Sequence, residues 1–428
     1  MIKKRNFKSI VATGVIALAS ATLLAACGSK STSSKDEINW YTPTEILTLD
    51  VSKNTDDYSA LAIGNSEINL LRVDKNGKLQ PDLAEKVDVS ADGLTYTATL
   101  RDDLKYSDGT KLTAEDFVYT WQRMVDPATA SEYAYLASDS HLVNAADIIA
   151  GKKSVEELGV KAEGNKVIFT LSNPSPQFKS LLSFSNFVPQ HKEFVEKTGK
   201  QYGTKSDKQI YSGPFKVENW NGTSGSFKLV KNDNYWDAKH VKTKTINIQT
   251  VKKPDTAVQM YKQGQLDFAS ISSTSAIFNS NKKNKDVVTV PEATTSYMTY
   301  NETGKVKGLD NLKIRQALNL ATDRKGIVEA AVDTGSVPAT SLVPTGLEKL
   351  PDGTDLSKYV APGYSYNKEE AAKLFKEGLA EAGLSDLKLT ITADSDSPVS
   401  KAAVDYIKET WEKALPGLTV EEKFVTFK

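Results

Sequence analysis

The amino terminus changes from basic to apolar to small residues within its first 27 positions. A basic head at positions 3–8 precedes a mostly apolar run of about 15 residues, from Ile10 to Leu24. That length suits a secretory signal and is too short to span a bilayer comfortably. Two alanines then precede Cys27, the sole cysteine of the chain. The pattern predicts an export signal over residues 1–27.

Beyond residue 38, segments with strand-like alternation are interspersed with segments of helical spacing. Alternation predicts strands at 94–100, 166–171, 226–231, 245–251 and 387–391, and apolar spacing predicts helices at 255–264, 312–321, 367–383 and 398–415. Strands mixed with helices of these lengths favour an α/β fold. After Cys27, no further apolar run reaches transmembrane length.

A strand, a turn and an amphipathic helix are predicted in succession between residues 91 and 127. An Asp-Gly pair predicts the turn at 106–110. Thr113 and Asp116 have the spacing of a capping box, and Phe117 and Trp121 follow on one helical face. We expect these two aromatic side chains to lie in the core.

Residues 92–127 read DGLTYTATLRDDLKYSDGTKLTAEDFVYTWQRMVDP. This block closely resembles the signature of the extracellular solute-binding proteins of peptide ABC importers, solute-binding family 5. Blocks that resemble the oligopeptide-binding members follow in the family's order at 146–153, 158–162, 211–215, 234–237, 261–267 and 314–318. The resemblance covers nearly everything after residue 38. It implies a periplasmic-binding-protein-like α/β fold, in which two lobes close by a hinge over the ligand.

The resemblance also implies how the chain is divided. A signal peptide at 1–27 and a flexible tether at 28–37 precede a discontinuous first lobe at 38–72 and 186–295, an inserted domain at 73–185 and a second lobe at 296–428. Family members continue beyond the strand-like stretch at 418–428. We therefore expect the second lobe to be incomplete, without the family's acidic partner for the peptide's α-amino group, and peptide affinity to be weakened or lost.

Cys27, directly after Leu-Ala-Ala, resembles the cysteine of the bacterial lipobox. In that family of signals the thiol is acylated and the chain is cut before it. The resemblance implies a protein anchored by lipid to the extracellular face of a Gram-positive-type cell membrane. An ordinary signal peptide with an incidental cysteine is the alternative.

Charge and motif content argue against several classes of function. Lys plus Arg and Asp plus Glu both number 54, so no global basic field favours nucleic acid. His141, His191 and His240 are scattered without metal-binding spacing, and neither a Gly-x-Ser-x-Gly motif nor a phosphate-binding loop is present. We expect no catalysis, no cofactor and no metal site. An extracellular hydrolase remains an alternative from another class.

The resemblance carries candidate peptide contacts over to this sequence. The family encloses an extended peptide between its lobes and holds the backbone and termini that all peptides share. The candidate contacts are Thr55, Asp57 and Tyr58 on the first ligand-facing loop, Tyr133 and Tyr135 after the signature helix, Ser270 and Ser272 after a strand at Leu266-Asp267, and Tyr297, Thr299 and Asn301 on a segment that crosses between lobes. Packing alone is the alternative role for each of them.

These features lead to one functional hypothesis. We expect the protein to bind oligopeptides at the cell surface and to deliver them to the permease subunits of an ABC importer, with no nucleic acid partner. A receptor for signalling peptides or pheromones on the same fold is the alternative. Receptors for nickel, haem or a sugar fit the oligopeptide-type blocks less well.

Overall fold

A computed structural model describes residues 36–290, 292, 294–350, 352–360 and 363–426. The predicted export signal, Cys27 and nearly all of the predicted tether lie outside these residues. Contacts between residues divide the chain into two compact units, of which unit 1 ends at Ala269 and unit 2 begins at Ser270. Within the described ranges, no helix has both the length and the apolar character needed to cross a membrane.

Unit 1 combines strands with mostly short helices. Its strands are β1 (Glu37–Thr42), β2 (Leu71–Val73), β3 (Leu79–Pro81), β4 (Ala84–Val89), β5 (Thr95–Leu100), β6 (Val160–Glu163), β7 (Lys166–Thr170), β8 (Phe215–Glu218), β9 (Ser226–Lys231) and β10 (Thr245–Thr250). Its helices are α1 (Asp57–Ser66), α2 (Ala114–Val125), α3 (Tyr135–Asp139), α4 (Ala145–Ile149), α5 (Phe178–Leu181), α6 (Lys192–Thr198) and α7 (Pro254–Lys262).

The first sheet of unit 1 has the strand order β1-β10-β9-β8. β1 runs parallel to β10, with Glu37 opposite Thr245, and the other pairs are antiparallel. β9 spans Ser226–Lys231, which confirms the predicted strand. Side chains of this sheet share a hydrophobic core with Ile63 of α1. The sheet therefore fixes α1, whose first turn carries candidate contacts.

The second sheet of unit 1 has the order β4-β5-β7-β6 and is antiparallel throughout. Burial alternates along β5, so one face of the sheet lies in the core. Trp121 of α2 stacks on Phe187 with ring centroids 4.0 Å apart and meets Phe169 of β7 at 5.2 Å. Phe117 and Trp121 are both fully buried, which confirms their predicted core role.

α2 begins at Ala114 because Thr113 and Asp116 form the predicted capping box. Oδ2 of Asp116 accepts a hydrogen bond of 2.8 Å from the N–H group of Thr113. Burial raises the pKa of Asp116 to about 6, although the bonds from Thr113 act in the opposite direction. Local sequence chemistry therefore sets the start of this helix.

Unit 2 has more helix than strand. Its helices are α8 (Ser275–Asn281), α9 (Leu312–Ala321), α10 (Arg324–Gly326), α11 (Leu356–Tyr359), α12 (Lys368–Glu381) and α13 (Pro398–Ala414), and a π-helical segment at Ile327–Val332 follows α10. Its strands are β11 (Leu387–Asp394) and β12 (Leu418–Val425), which pair in parallel with Leu387 opposite Leu418. α13 connects these two strands in the sequence.

The core of unit 2 lies between its helices and this strand pair. α9 buries Ile314 and Leu318 on the face that its apolar spacing predicts. Phe375 of α12 and Trp411 of α13 belong to the same core, and each is 1% exposed. Both units thus build their cores from strands and helices together, which confirms the predicted α/β class.

The two contact units are not the predicted lobes, so the predicted end of the first lobe at residue 295 stays a prediction. The sequence places residues 270–295 in the first lobe, whereas the contacts place them in unit 2. The physical reason is α8, whose Phe278 side chain lies against Gly335 and whose Asn279 amide donates a hydrogen bond to Asp333. The other predicted boundaries, including the inserted domain at 73–185, stay predictions.

Candidate functional site

The first candidate contacts lie where a loop leads into α1. Asp56 is the N-cap of this helix, and its Oδ1 accepts hydrogen bonds from the N–H groups of Tyr58 (3.1 Å) and Ser59 (2.8 Å). Oδ1 of Asn54 supports this start, since it accepts a hydrogen bond of 3.3 Å from the N–H group of Asp56. These bonds satisfy donors that a helix start leaves unpaired.

Asp57 occupies the first turn of α1 and is exposed. A carboxylate is favourable there because the N-terminal end of a helix is positively polarised. Thr55 is half-buried, and Tyr58 is half-buried against the core of the first sheet. Asp57 therefore offers an accessible negative charge. Tyr58 packs against the core, which is the alternative role that the sequence analysis left open for it.

Side chains from distant parts of unit 1 hold the loop at residues 50–54. Arg123 of α2 donates two hydrogen bonds of 2.7 Å to the carboxylate of Asp50. Nε2 of Gln190 donates a hydrogen bond of 2.9 Å to Oγ of Ser52, and Oε1 of Gln190 accepts one of 2.8 Å from Arg123. The backbone that leads to α1 is thus fixed by buried polar contacts.

Tyr133 and Tyr135 form an aromatic pair after α2. Their ring centroids are 6.4 Å apart. Tyr133 also packs edge to face with Phe184, with ring centroids 5.6 Å apart. Burial raises the pKa of Tyr133, and the charges of Tyr135, Asp57 and Glu132 raise it further. Phe184, which contacts Tyr133, is followed by Asn186, whose Nδ2 donates to the Asn54 carbonyl at 2.9 Å, so one turn contacts both the loop and the aromatic pair.

Asp57, Tyr133 and Tyr135 have the chemistry of a polar ligand site. Tyr135 is 50% exposed, so its ring and hydroxyl group are accessible. An exposed carboxylate attracts cations, and an aromatic face adds to that attraction when the cation lies over the ring. Tyrosine hydroxyl groups donate and accept hydrogen bonds with peptide backbone. The role of these candidates of unit 1 as ligand contacts stays a prediction.

Ser270 and Ser272 lie in irregular backbone at the start of unit 2. Oγ of Ser270 accepts a hydrogen bond of 3.4 Å from the N–H group of Ser272. The strand predicted at Leu266-Asp267 is wrong. Asp267 instead forms two hydrogen bonds with Asn39 of β1. Its backbone N–H group donates to the Asn39 carbonyl group (2.9 Å), and its side-chain carboxylate accepts from the Asn39 N–H group (2.7 Å). The Asp267 carboxylate takes the place of a backbone carbonyl group, so the regular hydrogen bonding of a strand pair does not form here.

Tyr297, Thr299 and Asn301 are exposed residues of an irregular segment of unit 2. Tyr297 is 69% exposed. Oδ1 of Asn301 accepts hydrogen bonds from the N–H group (3.2 Å) and the hydroxyl group (2.6 Å) of Thr303. These three residues have accessible surface, and Asn301 also stabilises its local turn.

Sequence reasoning missed the residues that support the loop. Asn186, in a turn of 3-10 helix at Ser185–Phe187, donates from Nδ2 to the carbonyl groups of Val51 (2.8 Å) and Asn54 (2.9 Å). The sequence does not single it out, because Asn186 lies in the mixed stretch LLSFSNFV at 181–188, beside Ser183 and Ser185. Such a residue, once buried, requires hydrogen-bond partners.

Glu67, the C-cap residue of α1, is a second missed feature. Its buried carboxyl group accepts hydrogen bonds from the N–H (3.0 Å) and Oγ (2.7 Å) of Ser212 and from Nε2 of Gln209 (3.1 Å). Burial raises the pKa of Glu67 to about 8, although these three donors act to lower it. Glu67 thus ties the end of α1 to the resemblance block at 211–215.

Metal binding finds no support in the described part of the chain. Among those residues, no cluster of three or more His, Cys, Asp or Glu side chains could hold a metal ion. The candidate contacts accordingly consist of hydroxyl groups, aromatic rings, an amide and one carboxylate.

Comparison with known proteins places this geometry in a family. The model of the bacterial extracellular solute-binding proteins, family 5 middle, matches residues 78–428. The dipeptide-binding protein of Lactococcus lactis subsp. cremoris is 45% identical over 435 residues, which cover 99% of this chain and 78% of that protein. The oligopeptide-binding protein OppA of Bacillus subtilis is 32% identical, with 92% of this chain and 72% of that protein covered.

Solved structures agree with the sequence relatives. Listeria monocytogenes OppA bound to peptide superimposes with a TM-score of 0.84 at 35% identity, covering 92% of this chain and 78% of that one. The pheromone receptor PrgZ gives a TM-score of 0.83 at 31% identity, with the same coverage of 92% and 78%. The α/β fold expected from the resemblance is shared with these neighbours. The chain belongs to the bacterial extracellular solute-binding proteins of family 5.

Proposed function

We propose that this protein is an extracellular receptor that binds oligopeptides and delivers them to an ABC importer. The similarity to peptide-bound Listeria monocytogenes OppA carries the proposal, since it extends over 92% of the chain. The dipeptide-binding and oligopeptide-binding relatives support the same ligand class. The permease subunits of the importer are the proposed protein partner.

The chemistry of unit 1 supports a peptide as ligand. A receptor for many peptides must hold the groups that peptides share, which are backbone amides and charged termini. The exposed carboxylate of Asp57 suits an ammonium group, and Tyr133 and Tyr135 offer hydroxyl groups for backbone amides. Ser270, Ser272, Tyr297, Thr299 and Asn301 of unit 2 remain proposed contacts, on the resemblance alone.

Mass spectrometry of the ligand that co-purifies with the protein tests this proposal. Peptides of mixed sequence should be recovered from the native protein and should be absent after denaturation and refolding. Titration calorimetry of the refolded protein with the recovered peptides then measures their affinity. Recovery of a sugar or a metal chelate without peptide would overturn the proposed ligand class.

The family is one of binding proteins, and we propose that this chain leaves its ligand chemically unchanged. The match to the family of solute-binding proteins and the similarity to a dipeptide-binding protein support this proposal. Purified protein incubated with a peptide mixture should return every peptide intact. Progressive shortening of the peptides would instead identify a hydrolase.

The anchoring of the receptor rests on the sequence around Cys27, outside the described residues. We propose that Cys27 is acylated and tethers the protein to the outer face of a Gram-positive-type membrane. Cys27→Ser should release the protein to the medium, since the small polar residues that follow have no membrane affinity of their own. Unchanged partition into the detergent phase would contradict the anchor.

A receptor for one signalling peptide is the second candidate. The observation that favours it is the similarity to the pheromone receptor PrgZ at a TM-score of 0.83. The same mass spectrometry separates the two functions. A nutritional receptor should yield peptides of many sequences, whereas a signalling receptor should yield one sequence from a mixed medium.

A further inference from the structure

One buried amide links the candidate ligand loop to a distant turn. Asn186 is 2% exposed, and its Nδ2 donates to the carbonyl groups of Val51 at 2.8 Å and Asn54 at 2.9 Å. These partners precede Asn186 by 135 and 132 positions in the chain. A single amide thus holds both ends of the segment 51–54.

The side chain at this position must carry two donors on one atom. A buried carbonyl group without a donor is destabilising, so each of the two acceptors requires a partner. An NH₂ group offers two N–H donors that diverge from one nitrogen atom. Asparagine meets that requirement, whereas the isosteric aspartate offers only acceptors when ionised.

The turn that carries Asn186 is itself held firmly. Phe187 is fully buried and stacks on Trp121 with ring centroids 4.0 Å apart. Phe184, just before the turn, contacts Tyr133 edge to face at 5.6 Å. The same turn therefore contacts the loop on one side, through Asn186, and the aromatic candidates on the other.

From Asn54 the loop continues directly into the candidate contacts. Oδ1 of Asn54 accepts from the N–H group of Asp56, and Asp56 caps the helix whose first turn holds Asp57. Displacement of the Asn54 carbonyl would therefore shift Asp56 and, with it, the start of α1. Thr55 lies between these two residues and would move with them.

We propose that Asn186 is a positioning residue, which fixes the loop at 51–58 in a form ready for ligand before the ligand arrives. This inference rests on the proposed function, because the loop matters only if its residues contact the ligand. A preformed loop avoids the conformational entropy that a mobile loop would lose on binding. Asn186 itself is buried behind the loop and need not contact the peptide.

The test compares Asn186→Asp with a matched variant elsewhere in unit 1. Asn232 is 1% exposed, and its Nδ2 donates to the Gly213 carbonyl at 2.8 Å, so Asn232→Asp also removes a buried amide donor but leaves the loop alone. Hydrogen exchange of the amides at 51–58 is measured in the full chain without ligand. Binding of tri-alanine and of the co-purified peptides is measured by titration calorimetry.

We expect Asn186→Asp to speed exchange at 51–58 and to raise the peptide Kd by about ten-fold, because the variant loses both donors to the loop. Asn232→Asp should lower the melting temperature without either effect. Asn186→Ser, which keeps one donor, should give intermediate values and serves if the aspartate variant does not fold.

Two results would overturn the positioning role. One is wild-type exchange at 51–58 in the Asn186 variants, and the other is an equal rise in Kd for Asn232→Asp. Failure of the wild-type protein to bind any peptide would refute the proposed function instead. The exchange measurement would still decide whether Asn186 holds the loop, so the two failures are distinguishable.

Discussion

The guanidinium group of Arg123 donates two 2.7 Å hydrogen bonds to the carboxylate of Asp50, 73 positions earlier in the chain. Their side chains are 13% and 4% exposed, so the pair is nearly excluded from water. Arg123→Ala should lower the free energy of unfolding by about 3–5 kcal/mol, because it leaves a buried carboxylate without its partner. Urea denaturation measures the loss.

The control for this prediction is an exposed pair in the same unit. Lys192 and Glu196 approach to 3.8 Å with side chains 64% and 57% exposed. Lys192→Ala should lower the free energy of unfolding by less than about 1 kcal/mol. Equal losses for the two variants would show that the Arg123 pair contributes no more than a surface pair.

Gly203 has no room for a side chain. Its φ is +68°, and an added Cβ would lie 2.2 Å from the backbone nitrogen of Asp50. Gly203→Ala should lower the free energy of unfolding by about 3 kcal/mol or more, since steric overlap adds to backbone strain. Gly151 has the same φ of +68° with no atom within 4 Å of the added Cβ, so Gly151→Ala should cost about 1–2 kcal/mol. Thermal denaturation that gives equal losses would contradict the steric argument.

The sequence predicted the local elements of the fold well. The spacing at 312–321 gives the bounds of α9, and Thr113 with Asp116 gives the start of α2. Both signals are carried by neighbouring residues, so they do not depend on the rest of the chain. The prediction of a strand at Leu266-Asp267 was wrong because the Asp267 side chain, instead of a backbone carbonyl group, accepts from the N–H group of the distant Asn39.

The support of the candidate site was not predictable in the same way. Asn186 finds its acceptors 135 and 132 positions away, and no periodicity encodes such a pair. Ser183 and Ser185 stand beside Asn186, so polarity alone does not mark the residue that forms these buried hydrogen bonds, and its partners emerge only from the folded chain. The resemblance identified Asp57 and Tyr133 as candidates, whereas the structure identified Asn186 and Phe184 as supporting residues.

Glu67 should make stability depend on pH. Its pKa is about 8 in the folded protein against 4.5 for an unburied glutamate, so the native state holds a proton that the unfolded state has lost between these values. The stabilising contribution of Glu67 is therefore complete below pH 4.5 and disappears as the pH rises towards 8, with a total of about 5 kcal/mol.

Glu67→Gln, a neutral isostere, should remove this dependence. Urea denaturation between pH 6 and 8 is the informative measurement, because Asp116, with a pKa of about 6, contributes mainly below that window. The wild-type protein should lose stability across the window while the variant stays nearly level. Parallel curves for the two proteins would contradict the assignment.

Trp411 should stabilise unit 2 through packing more than through its hydrogen bond. It is 1% exposed, and its Nε1 donates to Oγ1 of Thr322 at 3.1 Å. Trp411→Ala should destabilise unit 2 by about 3–5 kcal/mol, whereas Trp411→Phe, which keeps a ring, should cost less. Hydrogen exchange resolved by peptide measures this loss, which should be seen along β11 and β12. Equal losses for both variants would assign the stabilisation to the hydrogen bond.

Tyr135 should matter for ligand and little for stability. It is 50% exposed, so Tyr135→Ala should change the free energy of unfolding by no more than about 0.5 kcal/mol. The peptide Kd should rise at least about five-fold, equivalent to roughly 1 kcal/mol. Tyr359, which is 74% exposed and was not a candidate contact, is the control, and Tyr359→Ala should leave the Kd unchanged. Equal affinities for both variants would remove Tyr135 from the site.

The parallel pairing of β1 with β10 has a consequence for how the chain folds. Asn39 and Asn247 lie opposite each other although 208 positions separate them. A chain that grows from its amino end completes the second sheet at Thr170, while β1 still has no partner in its own sheet. Closing so long a loop is slow. Until β10 emerges, β1 is an open strand edge on which a chaperone or a neighbouring chain can pair.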